Sequence, residues 1–172
     1  MTLKEFLNNG DKFAKYIGIE LTDVKPGMAK ATMTVTENHM NAGNICQGGA
    51  LFTLADLVFA ALVNQGENMA FAINSTIYYH VSAKLGDVLT AEGHFTSRHP
   101  KIPAAQVQVR DQNGTIIALL MRRVIPRRCR HRSVDWNNNQ INTNLKQKSY
   151  ENRNHSFNNS CCNHCHARYG TA

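Results

Sequence analysis

Between Glu37 and Glu67 the chain carries one formal charge, Asp56. That residue lies inside the apolar run from Ala50 to Val63, where Leu51, Phe52, Leu54, Ala55, Val58, Phe59 and Leu62 surround a helix axis on most sides. A helix that is apolar nearly all round has no face for water, so the run predicts a buried helix. Gly48-Gly49 opens it, and Asn64-Gln65-Gly66 supplies a C-terminal stop. The run falls short of the roughly 18 apolar residues a membrane span needs. The rest of the domain must therefore cover this helix.

The flanking sequence has a different period. Lys30 to Val35 alternates polar and apolar residues, the pattern of a half-buried strand. Ile19–Val24, Met69–Tyr79, Val88–Ser97, Pro103–Asp111 and Thr115 to about Val124 also read as strands. Pro26-Gly27, Gly86-Asp87 and Gln112-Asn113-Gly114 mark turns between them. Leu3 to Ile17 suits a short amphipathic helix interrupted near Asn8-Asn9-Gly10. Hairpin-linked strands beside one buried helix imply an α+β domain with an antiparallel sheet.

Charge divides the chain in two. Residues 1 to 120 hold 9 Lys/Arg and 10 Asp/Glu, whereas residues 121 to 172 hold 10 and 2. The formal +7 thus belongs to the end of the chain and says nothing about the domain. We expect a domain over 1–125 and a basic tail over 126–172, with ten Asn and no hydrophobic period, too poor in apolar surface to offset its ordering entropy. Arg127-Arg128-Cys129-Arg130-His131-Arg132 offers charge to nucleic acid but no motif for a specific reader. Cys161-Cys162-Asn163-His164-Cys165-His166 lacks two spaced ligand pairs around a small core, so no metal site is expected. Cys46 alone lies in the first 120 residues, and Met1–Phe6 carries no export pattern, which together suggest a reducing, cytoplasmic setting.

The segment from Asn41 to Asp56 carries the chemistry. Gly48-Gly49 places free N–H groups and a positive dipole end where a substrate carbonyl can approach closely, which describes an oxyanion hole. The bland alternative is a tight turn. Asp56 is two turns inside the helix, too deep to cap it, and shares a face with Phe52, Phe59 and Val63. A carboxylate there must be paired or used. Asn41 and Gln47 are neutral hydrogen-bonding groups flanking the turn, and Asn41 also suits a turn position. Cys46 reads as a small buried hydrophobe.

These residues resemble the PaaI-like acyl-CoA thioesterases of the hotdog fold. That family has Asn, a Gly-containing loop, His-Gly-Gly, then an apolar helix with Leu-Ala-Asp. Asn41, Gln47-Gly48-Gly49 and Leu54-Ala55-Asp56 fall at that spacing. Ala83-Lys84-Leu85-Gly86-Asp87 resembles the family's Ala-x-x-Gly-Asp turn, and Val109 to Ala118 its last hairpin. The resemblance covers about residues 5 to 120. It implies an antiparallel sheet wrapped around the helix, a homodimer or homotetramer, no cofactor, and an active site between two chains. In that site Gly48 polarises the thioester carbonyl, and Asp56 from the partner chain is nucleophile or general base. Asn41 helps to hold the carbonyl or the water, with Gly49, Asn74 and Ser75 as neighbouring polar candidates. Lys84, Arg98, His99 and Lys101 are candidates for the phosphates of coenzyme A, or else a solvated rim.

Gln47 departs from the family's usual His and cannot exchange a proton near neutral pH. The reading is therefore hydrolysis of an aromatic or medium-chain acyl-CoA. Its rivals are an acyl-CoA-binding module without turnover and a hotdog dehydratase or hydratase. From about Met121 the chain also departs from a family terminus. With suitable codons, a two-nucleotide shift turns residues 121–128 into Ala-Ser-Gly-Tyr-Pro-Lys-Lys-Met, so out-of-frame translation is a further expectation for this end.

Overall fold

The computed structural model describes residues 1–66, 68–99 and 101–130, with the backbone path alone at 68–69 and 126–130. Residues 131–172, the Cys/His cluster of the expected tail included, lie outside the described residues.

Two short helices begin the chain, α1 (Leu3–Gly10) and α2 (Lys12–Tyr16). The sequence suggests one interrupted helix. The break falls at Asp11, which closes α1 through its N–H and caps α2 by accepting the Ala14 N–H at 3.0 Å. Strands β1 (Glu20–Lys25) and β2 (Met28–Thr34) follow, then a 3-10 turn at Glu37–His39. Helix α3 (Gly48–Val63) is the predicted central helix. Strands β3 (Asn68–Tyr79), β4 (Val88–Ser97), β5 (Ala104–Arg110) and β6 (Ile116–Arg130) complete the element order.

The six strands form one sheet in the order β1-β2-β4-β5-β6-β3, and every pairing is antiparallel. Alternation in β2 buries Ala29, Ala31 and Met33, and alternation in β5 buries Ala105, Val107 and Val109. Against this face α3 buries Leu51, Leu54, Ala55, Leu57, Val58, Phe59, Ala61 and Leu62. Gly93 on β4 permits close approach of the helix, because a Cβ there would stand 2.9 Å from Val58 Cγ1.

The two sheet edges differ. At the β1 edge, Asn8 of α1 accepts the Leu21 N–H at 2.9 Å and donates to the Leu21 carbonyl at 3.1 Å, while Lys4 donates to the Thr22 carbonyl. At the other edge, β3 presents Phe71, Ile73, Tyr78 and Tyr79 half exposed along twelve residues.

The last strand runs to Arg130, past the expected end near Val124. Its contact with the β4–β5 side ends where the Val124 N–H donates to the Pro103 carbonyl, and beyond that point β3 is its one flanking strand among the described residues. Pro126 thus falls at an edge position, where a missing N–H is tolerated.

Candidate active site

The turn before α3 is built by its own side chains. Asn41 Oδ1 accepts the N–H groups of Gly43 at 2.8 Å and Ile45 at 3.4 Å, and the Asn41 N–H donates to the Ile45 carbonyl. The left-handed position in this loop belongs to Asn44, at φ 55°. The loop is moored from behind by buried His39. Its Nδ1 accepts the Thr36 N–H, its Nε2 bonds the Ile17 carbonyl, and its own carbonyl accepts the Gln47 N–H at 2.7 Å. Sequence reading missed this anchor, since its partners lie 22 residues upstream and 8 downstream.

Gln47 is the N-cap of α3, and its Oε1 accepts the Gly49 N–H. That bond commits Gly49, so among the candidate donors Gly48 is the one whose N–H has no acceptor among the described residues. A free first-turn N–H at a helix start is the feature an oxyanion requires. The Gly48 carbonyl accepts the Tyr79 hydroxyl at 3.0 Å. A Cβ on residue 48 would lie 3.1 Å from that phenol, which explains glycine here. Partial burial pushes the Tyr79 phenol above its ordinary range, so it is a neutral donor.

Asp56 is not surrounded by apolar groups alone, as its sequence neighbours suggest. Its side chain is 45% exposed, and its Oδ1 pairs with Arg122 Nη1 from β6. Arg122 Nε donates to Ser75 Oγ at 2.8 Å, so the serine touches the arginine. The guanidinium stands 5.0 Å from the Phe52 ring centre and 5.2 Å from that of Phe59. Asn74 and Ser75 follow a bulge in β3 between Ala72 and Asn74, which locally redirects the strand.

The cationic candidates do not converge in one chain. Lys84 lies beside the start of α3, because the Ala83 carbonyl accepts the Cys46 N–H at 2.8 Å. Arg98 packs over Phe95 and against Gly27, whose N–H is bound by Gln65 just past the end of α3. Sixteen helical residues, about 24 Å, separate those ends. Lys101 and His99 share the exposed turn after β4 with Arg98. Cys46 is 5% exposed, and burial, aided by Asp87, pushes its thiol up to about 11. It is a core side chain and not a thiolate nucleophile.

An antiparallel sheet packed on one central helix is the hotdog architecture. The family model described as Thioesterase superfamily matches residues 43–118. The acyl-coenzyme A thioesterase PaaI of Escherichia coli is 33% identical over 63% of this chain and 78% of its own. A protein of Archaeoglobus fulgidus named provisionally as an esterase is 33% identical over 68% of this chain and 76% of its own. The solved structure of the E. coli PaaI protein superposes with a TM-score of 0.69 at 29% identity, over 72% and 89% of the two chains. The Streptococcus mutans protein smu.793, solved with acetyl CoA, shares the fold with a TM-score of 0.61 at 23% identity, over 64% and 89%. This chain belongs to the thioesterase superfamily, as a PaaI-like hotdog enzyme.

Proposed function

We propose that the protein hydrolyses an acyl-CoA carrying an aromatic or medium-chain acyl group, in a site shared by two chains. The observation that carries this reading is the spacing along α3. Gly48 and Asp56 are eight residues apart on one helix, about 12 Å along its axis. The two cannot act on one carbonyl group from the same chain, but Gly48 of one chain and Asp56 of its partner can. Among the described residues β3 is an apolar edge strand, and it offers the surface for that pairing, since a long exposed hydrophobic edge seeks another strand.

In this site the Gly48 N–H receives the thioester oxygen as it gains negative charge. The partner's Asp56 takes a proton from water, which attacks the carbonyl carbon, or attacks it directly and is later released by water. The C–S bond breaks, the coenzyme A thiolate leaves and gains a proton, and the free acid remains. Gln47 holds the helix turn in place of a proton donor. Partly buried Phe52, one helical turn before Asp56, supports an aromatic or medium-chain acyl group. Relatives named for, or solved with, coenzyme A esters support the carrier. Lys84, Arg98 and Lys101 are the proposed phosphate contacts. No described helix is long and apolar enough to cross a membrane.

The test follows the thioester's ultraviolet absorbance on a panel of aromatic and medium-chain acyl-CoAs, comparing the native chain with Asp56→Asn. Turnover that falls about 100-fold or more in the variant supports the reading. Bound acyl-CoA without turnover in the native chain would favour the binding module instead.

A further inference from the structure

Arg122 occupies a position where an arginine is costly. It alternates along β6 with Leu120 and Val124, which are 0% and 1% exposed, so its side chain enters the layer between sheet and helix. Its own side chain is 9% exposed. A buried guanidinium persists only if its charge and donors are met. Here Asp56 meets the charge, Ser75 Oγ meets Nε, and Phe52 and Phe59 supply aromatic faces. The matched family segment ends at residue 118, before this position.

We infer that Arg122 is a positioning residue for the hydrolysis, acting through Asp56; this rests on the catalytic reading of Asp56. The difference in exposure decides the order in which substrate meets the two groups. The Asp56 side chain is 45% exposed and the Arg122 side chain 9%, so substrate reaches Asp56 while Arg122 stands behind it. The arginine has a rigid fork, and its Nε is fixed on β3 through Ser75. Its Nη1 therefore holds Asp56 Oδ1 in one place. Among the described residues nothing else bonds Asp56, so Oδ2 is the oxygen left for water or the carbonyl carbon. Without the arginine, Asp56 turns about its own bonds and loses the geometry on which attack depends.

The experiment measures kcat and KM on the best acyl-CoA of the panel for the native chain, Arg122→Ala, Arg122→Lys, Ser75→Ala and Asp56→Asn, with thermal unfolding of each. Arg122→Ala should lower kcat about 10- to 100-fold while KM changes by less than about threefold. Arg122→Lys should recover part of that loss, because an ammonium group can pair with Asp56 but lacks the rigid fork that fixes Asp56 and Ser75 in one geometry. Ser75→Ala should fall between the Lys variant and the native chain. Unchanged or faster turnover in Arg122→Ala would overturn the proposal. So would a Lys variant that is well folded yet no better than Ala. If Arg122→Ala fails to fold, Arg122→Lys and Ser75→Ala decide: native kcat in both overturns it. Asp56→Asn as active as the native chain, or no turnover in the native chain, sinks the functional reading itself and Arg122's role with it.

Discussion

The hydroxyl of Tyr79 donates to the Gly48 carbonyl at 3.0 Å, and its ring stands where a side chain on residue 48 would go. The strand after the helix thus sets the height of the helix's first turn, and with it the direction of the Gly48 N–H.

Gly48→Ala forces the phenol or the turn to shift by a few tenths of an ångström. We expect kcat to fall about tenfold or more, the scale of a displaced oxyanion donor, with stability changed by about 1 kcal/mol or less. Tyr79→Phe removes one hydrogen bond and keeps the packing. It should cost about 1 kcal/mol in denaturant unfolding and lower kcat by less than Gly48→Ala does, because the ring that seats the turn remains. Equal kcat for Gly48→Ala and the native chain would remove Gly48 from the mechanism.

Gln47 separates stability from activity. Gln47→Ala deletes the cap on Gly49 and should cost about 1 kcal/mol. Gln47→Glu can keep that bond and adds a favourable charge at the helix N-terminus, worth about 0.3–1 kcal/mol. The same charge repels an oxyanion forming at the Gly48 N–H. This variant should therefore be at least as stable as the native chain and slower, with most of the loss in kcat.

Cys46 gives an alkaline signature. Its folded pKa is raised by burial to about 11. Between pH 9 and 11 the unfolded chain has lost this proton and the folded chain keeps it. The contribution is therefore fully present below pH 9 and is lost as pH rises toward 11. The loss is about 2–3 kcal/mol. Unfolding free energies at pH 8 and pH 10.5 should fall less for Cys46→Ala than for the native chain. Parallel decreases would contradict the buried thiol.

Gly93 reports on the core. A methyl group there meets Val58 at 2.9 Å and Val107 at 3.2 Å, and both are fully buried. Gly93→Ala should destabilise by about 1–3 kcal/mol through overpacking. An unchanged unfolding midpoint would mean that the helix rides further from the sheet.

Much of the fold is legible in the chain because its causes are local or periodic. The buried helix follows from one charge in thirty residues, and β4 begins and ends where the pattern places it, at Val88 and Ser97. The split at Asp11 is harder to read, since one side chain closes one helix and opens the next. Within the site, the turn glycines and Asp56 stand out through composition and spacing. Arg122 does not, because it lies 66 residues from Asp56 and 47 from Ser75, and only the register of β6 on β3 unites them. The same register gives residues 121–130 a place in the sheet. The nucleotide sequence decides whether they are translated in frame, and a shifted frame would leave the Arg122–Asp56 contact without a selected role. Arg98 fails as a neighbour of Lys84 within one chain for an equally non-local reason, the length of α3.

The unequal edges of the sheet bear on how far association can run. A ribbon open on both sides can add subunits without end, as fibres do. Here Asn8 and Lys4 occupy backbone groups of β1 from within the chain, so that side does not invite a newcomer. Joining two copies along β3 would bury each copy's open side against its twin. Growth through strand pairing would then stop at two, and any larger assembly must use the faces of the pair rather than its rims.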